Sequence, residues 1–282
     1  MALSIVAFFV FGFRLGIDYK GGTSIEFKSA NNERLAITES VLKEKNILNY
    51  QVKPGSGDAV VMHLPMVSAS EHEELTNALS NKLGNYTEIS YDSVGPTISQ
   101  DLVSKSIWAV ILASLGIIFY IAYAFRRIPK PLSSWKFGMS AIIAIIHDLL
   151  VTTGTVVVIS HFVPWMEIDA LFVTALLTIM GFSVHDTIVV YDRLRENFIK
   201  NPHKGIEMIA EESVNQTLAR SLNTSLTVII VLISMFVLGG TSIRHFILTL
   251  IIGIFFGTYS SIFVAAAILV KWQKRKTPAT AK

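Results

Sequence analysis

Long apolar stretches separated by charged loops dominate the chain. A transmembrane helix needs about 20 mostly apolar residues to cross roughly 30 Å of hydrocarbon. Five stretches meet this requirement, at 105–125, 138–160, 168–190, 221–239 and 244–271. A sixth apolar stretch covers 1–13 and ends at Arg14, but as a helix it would reach only about 20 Å. We interpret it as a first helix that is short or truncated, so the pattern predicts an α-helical polytopic membrane protein with six transmembrane helices.

The segment 17–104 is less apolar and alternates between strand-like and helix-like patterns. Strands are predicted at 24–28, 50–53, 59–64 and 86–94, and helices at 33–46 and 71–83. Ser70 is the predicted N-cap of the second helix, with Glu73 at the capping-box position and Gly84 closing the helix. The order β-α-β-β-α-β is that of a ferredoxin-like α+β domain, a fold that many unrelated functions share.

The distribution of basic residues among the loops predicts the orientation of the chain. They concentrate in alternate loops and at the C-terminus: Arg126, Arg127, Lys130 and Lys136; Arg193, Arg195, Lys200, Lys204 and Arg220; Lys271, Lys274, Arg275, Lys276 and Lys282. We expect these segments in the cytoplasm. The expected division is a first helix at 1–16, an extracytoplasmic domain at 17–104, transmembrane helices 2–6 at 105–272 and a basic cytoplasmic tail at 273–282.

Composition agrees with a membrane protein. Hydrophobic residues make up 51% of the 282 and the mean hydropathy is +0.52, which is too apolar for a soluble domain of this size. The net charge of +3 is modest, so bulk charge does not indicate nucleic-acid binding. Cysteine is absent, which excludes disulfides, thiol catalysis and thiolate metal sites.

Two ionisable residues stand out in the spans, because inserting a charged side chain into hydrocarbon costs roughly 2.5–3.5 kcal/mol. A carboxylate there needs a partner, water or a proton. Asp186 lies near the end of the fourth span, and Arg220 lies at similar depth at the start of the fifth. Consecutive antiparallel helices are usually neighbours, so the two side chains are expected to meet. The pair either couples proton movement to helix movement or is a static bridge, and Arg220 can alternatively extend to the membrane surface.

Asp148, beside His147, falls near the middle of the third span. It is either a hydrogen-bonding link between helices or part of a proton path, and the sequence leaves both open. The His-Asp dipeptide recurs at 185–186, which raises the question of a metal site. Adjacent helical residues point about 100° apart and make a poor chelate, so we predict neither a metal nor another cofactor.

Two further patterns concern the last two spans. A polar face recurs at helical spacing in the fifth, at Thr217, Arg220, Ser221, Thr224 and Thr227. Such hydroxyls bond back to their own helix, link it to a neighbour or line a hydrated path. In the sixth, Gly253 and Gly257 form a GxxxG motif that allows close approach of another helix, in this chain or in a partner.

Several motifs, in order along the chain, resemble those of the SecD/SecF family of protein-export membrane subunits. Residues 16–23 read GIDYKGGT, resembling the family's GIDF-x-GGT, and 94–97 read VGPT. Residues 181–197 read GFSVHDTIVVYDRLREN, 215–225 read NQTLARSLNTS and 257–261 read GTYSS. Together they cover nearly the whole chain. Phe182, His185, Tyr191 and Tyr19 depart from the usual Tyr, Asn, Phe and Phe.

The resemblance implies one half of an RND-type transporter and a non-enzymatic role in protein export. Its implied partners are SecD, the SecYEG channel, YajC and unfolded preprotein, in the bacterial cytoplasmic (inner) membrane with the proton motive force as energy source. The family's proton-coupling carboxylate and arginine correspond to Asp186 and Arg220. Asp148, His185 and Thr224 are candidates for an accessory polar path. We expect the 17–104 domain to pivot at Gly21, Gly22, Gly95 and Pro96.

Two other functions compete with this interpretation. An RND-type small-molecule or lipid transporter would need substrate pockets in a large outer domain, and 17–104 is small for that. An intramembrane hydrolase using one of the His-Asp pairs is the weaker alternative, because neither pair has HExxH spacing or an evident nucleophile.

Overall fold

The computed structural model describes residues 1–55, 57–126 and 133–274. Five helices in these ranges are long and apolar enough to cross a membrane: α5 (Pro96–Ala124), α6 (Ser134–Phe162), α7 (Ala170–Lys200), α8 (Ile206–Leu238) and a last helix over Arg244–Gln273. The five predicted long spans are therefore present. The first stretch forms α1 (Ala2–Phe11), whose ten residues extend about 15 Å, half the thickness of the hydrocarbon.

The predicted boundaries differ from the observed ones mainly at the charged ends. α7 and α8 continue well past their apolar parts, through Asp192, Arg193 and Glu196 on α7 and from Ile206 on α8. Ion pairs such as Arg193–Glu196 at 2.6 Å support this extension. Predicted basic residues at 127, 130, 275, 276 and 282 lie outside the described residues, as does most of the 273–282 tail.

The last helix is not uniform. α9 (Arg244–Tyr259) passes into a π-helical turn (Ser260–Ala265) and then into α10 (Ala266–Lys274). A π-turn adds one residue to each hydrogen-bonded turn of the helix and is frequently found at functional sites. Here both of its serines, Ser260 and Ser261, are completely buried.

A four-stranded antiparallel sheet occupies the segment between α1 and α5, and we call it with its two helices the sheet unit (22–94). Short helix α2 (Ile17–Lys20) leads into it. Its elements are β1 (Gly22–Lys28), α3 (Arg34–Glu44), β2 (Gln51–Pro54), β3 (Ala59–Leu64), α4 (Ala69–Leu83) and β4 (Thr87–Val94). The strand order is β2-β3-β1-β4. Alternate residues such as Ile25, Phe27 and Met62 form a core with the helices, while the other face of the sheet is polar.

The predicted cap of α4 is wrong by two residues. Ser68, rather than Ser70, is the N-cap, and its hydroxyl and Glu71 form a reciprocal capping box. Both serines precede a glutamate by three positions, so the sequence motif fits either register. Val67 is buried in the core, which places the start of the helix at the earlier serine. Gly84 follows the last turn, as predicted.

Helix α7 lies at the centre of the helical bundle and packs against α6, α8 and α9. Its buried face contributes to two apolar clusters, one near each end of the bundle. α1 packs on α6, where a side chain at Gly154 would come within 2.7 Å of the Ser4 backbone. This close contact is possible because glycine has no side chain, and it explains how so short a helix stays packed on α6.

Candidate functional site

The Asp186 side chain lies on the face of α7 that contacts α8. The residue is 3% exposed, and its carboxyl oxygen Oδ2 is buried with no hydrogen-bond partner in the described residues. The Ser221 hydroxyl of α8 faces this carboxyl, but it does not form a hydrogen bond of normal geometry either. A buried, unsatisfied carboxyl oxygen is costly, and packing alone does not explain it.

Arg220 does not contact Asp186, contrary to the expected meeting of the two side chains. No ion pair within 4 Å joins them in the described part of the chain, and Arg220 is exposed on the outside of the bundle. Adjacent residues on a helix point about 100° apart. Because Ser221 is completely buried against α7, its neighbour Arg220 must turn away from that interface.

Arg220 instead lines a groove of about 310 Å³ between α5, α7 and α8. Asp192 and Glu196 of α7 line the same groove. His185 of α7 and Thr224 of α8 are also exposed on the outside of the bundle. Thr224 donates its hydroxyl to the Arg220 carbonyl at 2.9 Å, so it bonds back to its own helix. A polar surface thus runs along α7 and α8 where the apolar spans would meet lipid.

Asp148 is linked to α7 and the π-turn by a cluster of hydroxyl groups. The residue is 1% exposed. Ser183 of α7 donates to Asp148 Oδ2 at 2.5 Å, and His147 Nδ1 lies 3.0 Å from Asp148 Oδ1. Ser261 of the π-turn donates to the Ser183 carbonyl at 2.9 Å. The structure therefore brings Asp148 into contact with α7 through Ser183, three residues before Asp186 on that helix.

The two glycines of the GxxxG motif in α9 face α7 within this chain. A Cβ at Gly253 would lie 2.1 Å from Ile179 Cδ1, and a Cβ at Gly257 would lie 3.3 Å from Ser183 Cβ. The close approach of α9 to α7 therefore needs both positions without side chains. It also holds Ser183 beside Asp148.

The sheet unit contacts the helical bundle through a buried ionic cluster. Lys53 of β2 pairs with Glu167 in the α6–α7 loop, and His63 of β3 lies 3.6 Å from the same carboxylate. Burial lowers the pKa of His63, and the Glu167 carboxylate opposes this only in part. Ser242, at the start of the last helix, donates to Glu26 of β1 at 3.3 Å. These residues border a polar cavity of about 400 Å³ between sheet and bundle.

The GIDYKGGT segment supports this contact. The Gly16 amide donates to the Ile168 carbonyl at 2.9 Å, and the Ala170 amide, at the start of α7, donates to Asp18 Oδ2 at 3.0 Å. Asp169 caps the same helix through the Phe172 amide at 2.8 Å. Two carboxylates thus satisfy the first amides of α7 and favour its dipole.

The four residues proposed as pivots lie side by side. Gly21 and Gly22 have φ of 75° and 126°, and a Cβ at Gly22 would lie 2.5 Å from the Leu64 carbonyl oxygen. Gly22 pairs with Val94 in the sheet, and α5 begins at Pro96 directly after Gly95. Both connections to the bundle therefore leave the sheet at one place.

The comparisons with known proteins agree with the motifs. Residues 74–275 match the family described as "Protein export membrane protein SecD/SecF, C-terminal", and residues 6–32 match the "SecD/SecF GG Motif". The chain belongs to the SecD/SecF family. Within that family, "Protein translocase subunit SecF" of Thermobaculum terrenum is 44% identical over 279 residues, covering 94% of this chain and 86% of the relative. The protein of the same name from Anaerolinea thermophila is 36% identical, covering 95% and 87%.

Solved SecD/SecF-family structures have the same architecture. SecDF of Thermus thermophilus, described as a translocon-associated membrane protein, has a TM-score of 0.85 at 32% identity. SecDF in a "Super-membrane-facing form" has a TM-score of 0.66 at 29% identity. The matches cover 97% and 98% of this chain but only 36% of either SecDF chain. This chain therefore spans about a third of the solved SecDF proteins.

The contacts around Glu167 and Asp18 were not predicted from the sequence. The loop 161–169 is notable only for its lack of Lys and Arg and for its two acidic residues, Glu167 and Asp169. This was an available signal that the loop could accept a cation. Its partner Lys53 is more than a hundred residues away, and only the folded chain shows that they meet.

Glu167→Gln is expected to loosen the sheet unit from the bundle. Lys53 and Glu167 have side-chain exposures of only 11% and 13%, so the loss of the charge leaves a poorly solvated ammonium. We expect a cost of roughly 2 kcal/mol, between the values for exposed and fully buried pairs. Spin labels at Asn81→Cys and Phe162→Cys, introduced into a chain without native cysteine, should show a broadened distance distribution.

Glu74→Gln is the matched control for this experiment. Glu74 also pairs with a lysine, Lys45, at 2.8 Å, but both side chains are well exposed and both lie within the sheet unit. This variant should keep the narrow distribution. An unchanged distribution in Glu167→Gln would show that the ionic cluster does not hold the two parts together.

Proposed function

We propose that the chain is an auxiliary subunit of the Sec protein translocase that works with SecD, and that it uses the proton motive force to promote preprotein export through SecYEG. Membership of the SecD/SecF family and the names of the relatives support the translocase role. YajC is a further proposed partner. The chain is a multi-pass membrane protein, which we assign to the bacterial cytoplasmic membrane.

One observation indicates that the chain needs a second half of the membrane unit. Arg220, His185 and Thr224 are exposed on α7 and α8 at positions where apolar spans would otherwise contact lipid. A charged side chain facing hydrocarbon is costly unless protein or water covers it. We therefore place the SecD half of an RND-type unit against this surface. The match to about a third of SecDF is consistent with a chain that supplies one half.

We also propose the number of spans, the fold of the sheet unit and the orientation in the membrane. We take α1 as a sixth transmembrane helix, and the sheet unit as a ferredoxin-like domain, which its strand order supports. The basic residues Arg126, Lys136 and Lys200 lie at one end of the bundle and the sheet unit at the other. The sheet unit then lies outside the cell and the C-terminus in the cytoplasm.

Asp186 and Arg220 are the proposed proton-coupling residues. The Oδ2 atom of Asp186 is buried without a hydrogen-bond partner in the described residues, while Arg220 lines the neighbouring groove together with Asp192 and Glu196. When Asp186 releases its proton, its negative charge attracts the guanidinium, and movement of α8 or of the covering half can bring them together. Proton binding at Asp186 releases Arg220 again. The pair thus links proton transfer to helix movement.

The sheet unit is the proposed moving part, with Gly21, Gly22, Gly95 and Pro96 as pivots. The two connections lie side by side, which suits rotation about one axis. Different TM-scores against two SecDF structures at nearly equal coverage are consistent with more than one arrangement in the family. The cluster around Glu167 would then hold the arrangement seen here.

Arg220→Lys tests the coupling pair. Lysine keeps the charge but lacks the planar fork that binds a carboxylate through two hydrogen bonds. We expect a loss of about tenfold or more in the proton-dependent component of preprotein export. Export should be measured in membrane vesicles with and without a proton gradient, together with co-purification of SecD.

Arg126→Lys is the control, because Arg126 is also an exposed arginine near a helix end, and its side-chain contacts recorded in the described residues are with Tyr123 of α5. It should export normally. Normal export in Arg220→Lys would mean that Arg220 merely extends to the membrane surface. Proton flux that responds to a small molecule but not to preprotein would favour the transporter alternative.

A further inference from the structure

A second buried carboxyl group lies in the bundle outside the Asp186–Arg220 pair. Asp148 is on α6, about 21 Å along the helix from its end at Phe162, and Asp186 is about 24 Å along α7 from Ala170. The two carboxyl groups are thus at similar depth. They contact different elements, since Asp186 faces α8 and Asp148 faces α7 and the π-turn.

The surroundings of Asp148 form a connected polar path. Ser183 donates to its Oδ2 at 2.5 Å, and the Ser183 and Ser261 hydroxyl oxygens are 3.5 Å apart. Thr187 donates to Ser261 Oγ at 3.0 Å. On the other side, His147 Nδ1 is 3.0 Å from Asp148 Oδ1, and the His147 side chain is 18% exposed. An imidazole that contacts both a buried carboxyl and the bundle surface can pass a proton between them.

The cluster contains more hydrogen-bonding groups than its static contacts use. The Thr152 hydroxyl, one turn along α6 from Asp148, is buried without a partner in the described residues. A group serving only to join helices is expected to be fully satisfied, since an unpaired buried polar atom costs free energy. The π-turn, which places both Ser260 and Ser261 in the buried region, is likewise a rare geometry that tends to occur at functional sites.

We propose that Asp148 is a second proton-binding group of this membrane unit, which exchanges its proton through His147 and the hydroxyls of Ser183, Thr187 and Ser261. Among the described residues, His147 is the one titratable neighbour recorded for it, and the groups facing it from α7 and the π-turn are neutral hydroxyls. Ser183 and Thr187 are on the helix that carries Asp186, so a change of charge at Asp148 acts on α7. The inference rests on the proposed proton-driven export, to which it adds a second site.

Infrared difference spectra of the purified chain test proton exchange directly. A protonated carboxyl has a carbonyl stretch that a carboxylate lacks. We expect such a band, absent in Asp148→Asn and present in Asp186→Asn, whose intensity changes with pH. Ser183→Ala keeps the carboxyl but removes its hydroxyl donor, and it should change the midpoint of that titration. A band that does not respond to pH, or no assignable band, would overturn the inference.

Export measurements separate this inference from the role of Asp186. Asp148→Asn preserves the side-chain volume and keeps one oxygen that can accept from Ser183, and it should reduce proton-dependent export about tenfold without loss of SecD co-purification. Ser160→Ala is the control, because Ser160 is buried on the same helix and, within the described residues, its hydroxyl bonds only to the Val157 carbonyl. Normal export in Asp148→Asn with a loss in Asp186→Asn would overturn the second site alone. Normal export in Asp186→Asn would overturn the proposed coupling pair instead.

Discussion

Asp186→Asn should abolish the component of preprotein export that depends on the proton gradient while the protein still assembles with SecD. Asparagine has nearly the same volume and fits the pocket opposite Ser221, but it cannot bind and release a proton at physiological pH. One charge crossing 100 mV is worth about 2.3 kcal/mol. Without that free energy, the proposed exchange of the sheet unit between two arrangements is no longer driven in one direction.

The measurement compares export by vesicles with and without a proton gradient, and the amount of SecD that co-purifies. Asp192→Asn is the matched control, because Asp192 is an exposed carboxylate on the same helix, less than two turns away. A modest change is expected there if it attracts Arg220 in the groove, but not a complete loss. Gradient-dependent export that survives in Asp186→Asn would remove this residue from the mechanism.

Gly253→Val should destabilise the bundle. The new Cβ would lie 2.1 and 2.5 Å from the Cδ1 and Cγ1 atoms of Ile179, so either α9 or α7 must move. Ile179 is β-branched and completely buried, which leaves it few rotamers in a helix. Overpacking of this kind costs roughly 1–3 kcal/mol, and occasionally more. We expect a lower melting temperature and little monodisperse protein after detergent extraction.

Gly138→Val provides the control within another transmembrane helix. A Cβ at Gly138 would meet no atom within 4 Å, so only the helix propensity changes. Its melting temperature should stay close to that of the unmodified protein. Equal stability of the two variants would mean that the close approach of α7 and α9 does not depend on glycine.

The elements of this protein were largely predictable because their signals are local. The length of the apolar stretches identified the five long helices. Strand-like patterns identified the four strands of the sheet unit, and helix-like patterns identified its two helices. The helix ends were less accurate, since charged continuations of α7 and α8 are stabilised by pairs such as Arg193–Glu196 rather than by apolar residues. The cap of α4 was misplaced between Ser68 and Ser70 because both satisfy the same motif.

The candidate site was predictable only in part. Depth in the spans singled out Asp186, Arg220 and Asp148. Their contacts could not be derived, because each step along a helix turns the side chain by about 100°. A shift of one residue, from Ser221 to Arg220, therefore decides whether a side chain faces α7 or the outside of the bundle.

The sequence by itself determined that this chain crosses a membrane repeatedly, carries a small α+β unit and places ionisable residues at depth. These properties follow from length, periodicity and the cost of charge in hydrocarbon. Only the tertiary structure decided that Arg220 turns outward, that Asp148 joins α7 through Ser183, and that Glu167 holds Lys53. Those contacts join residues far apart in the chain, and they depend on helix rotation and packing that no local pattern records.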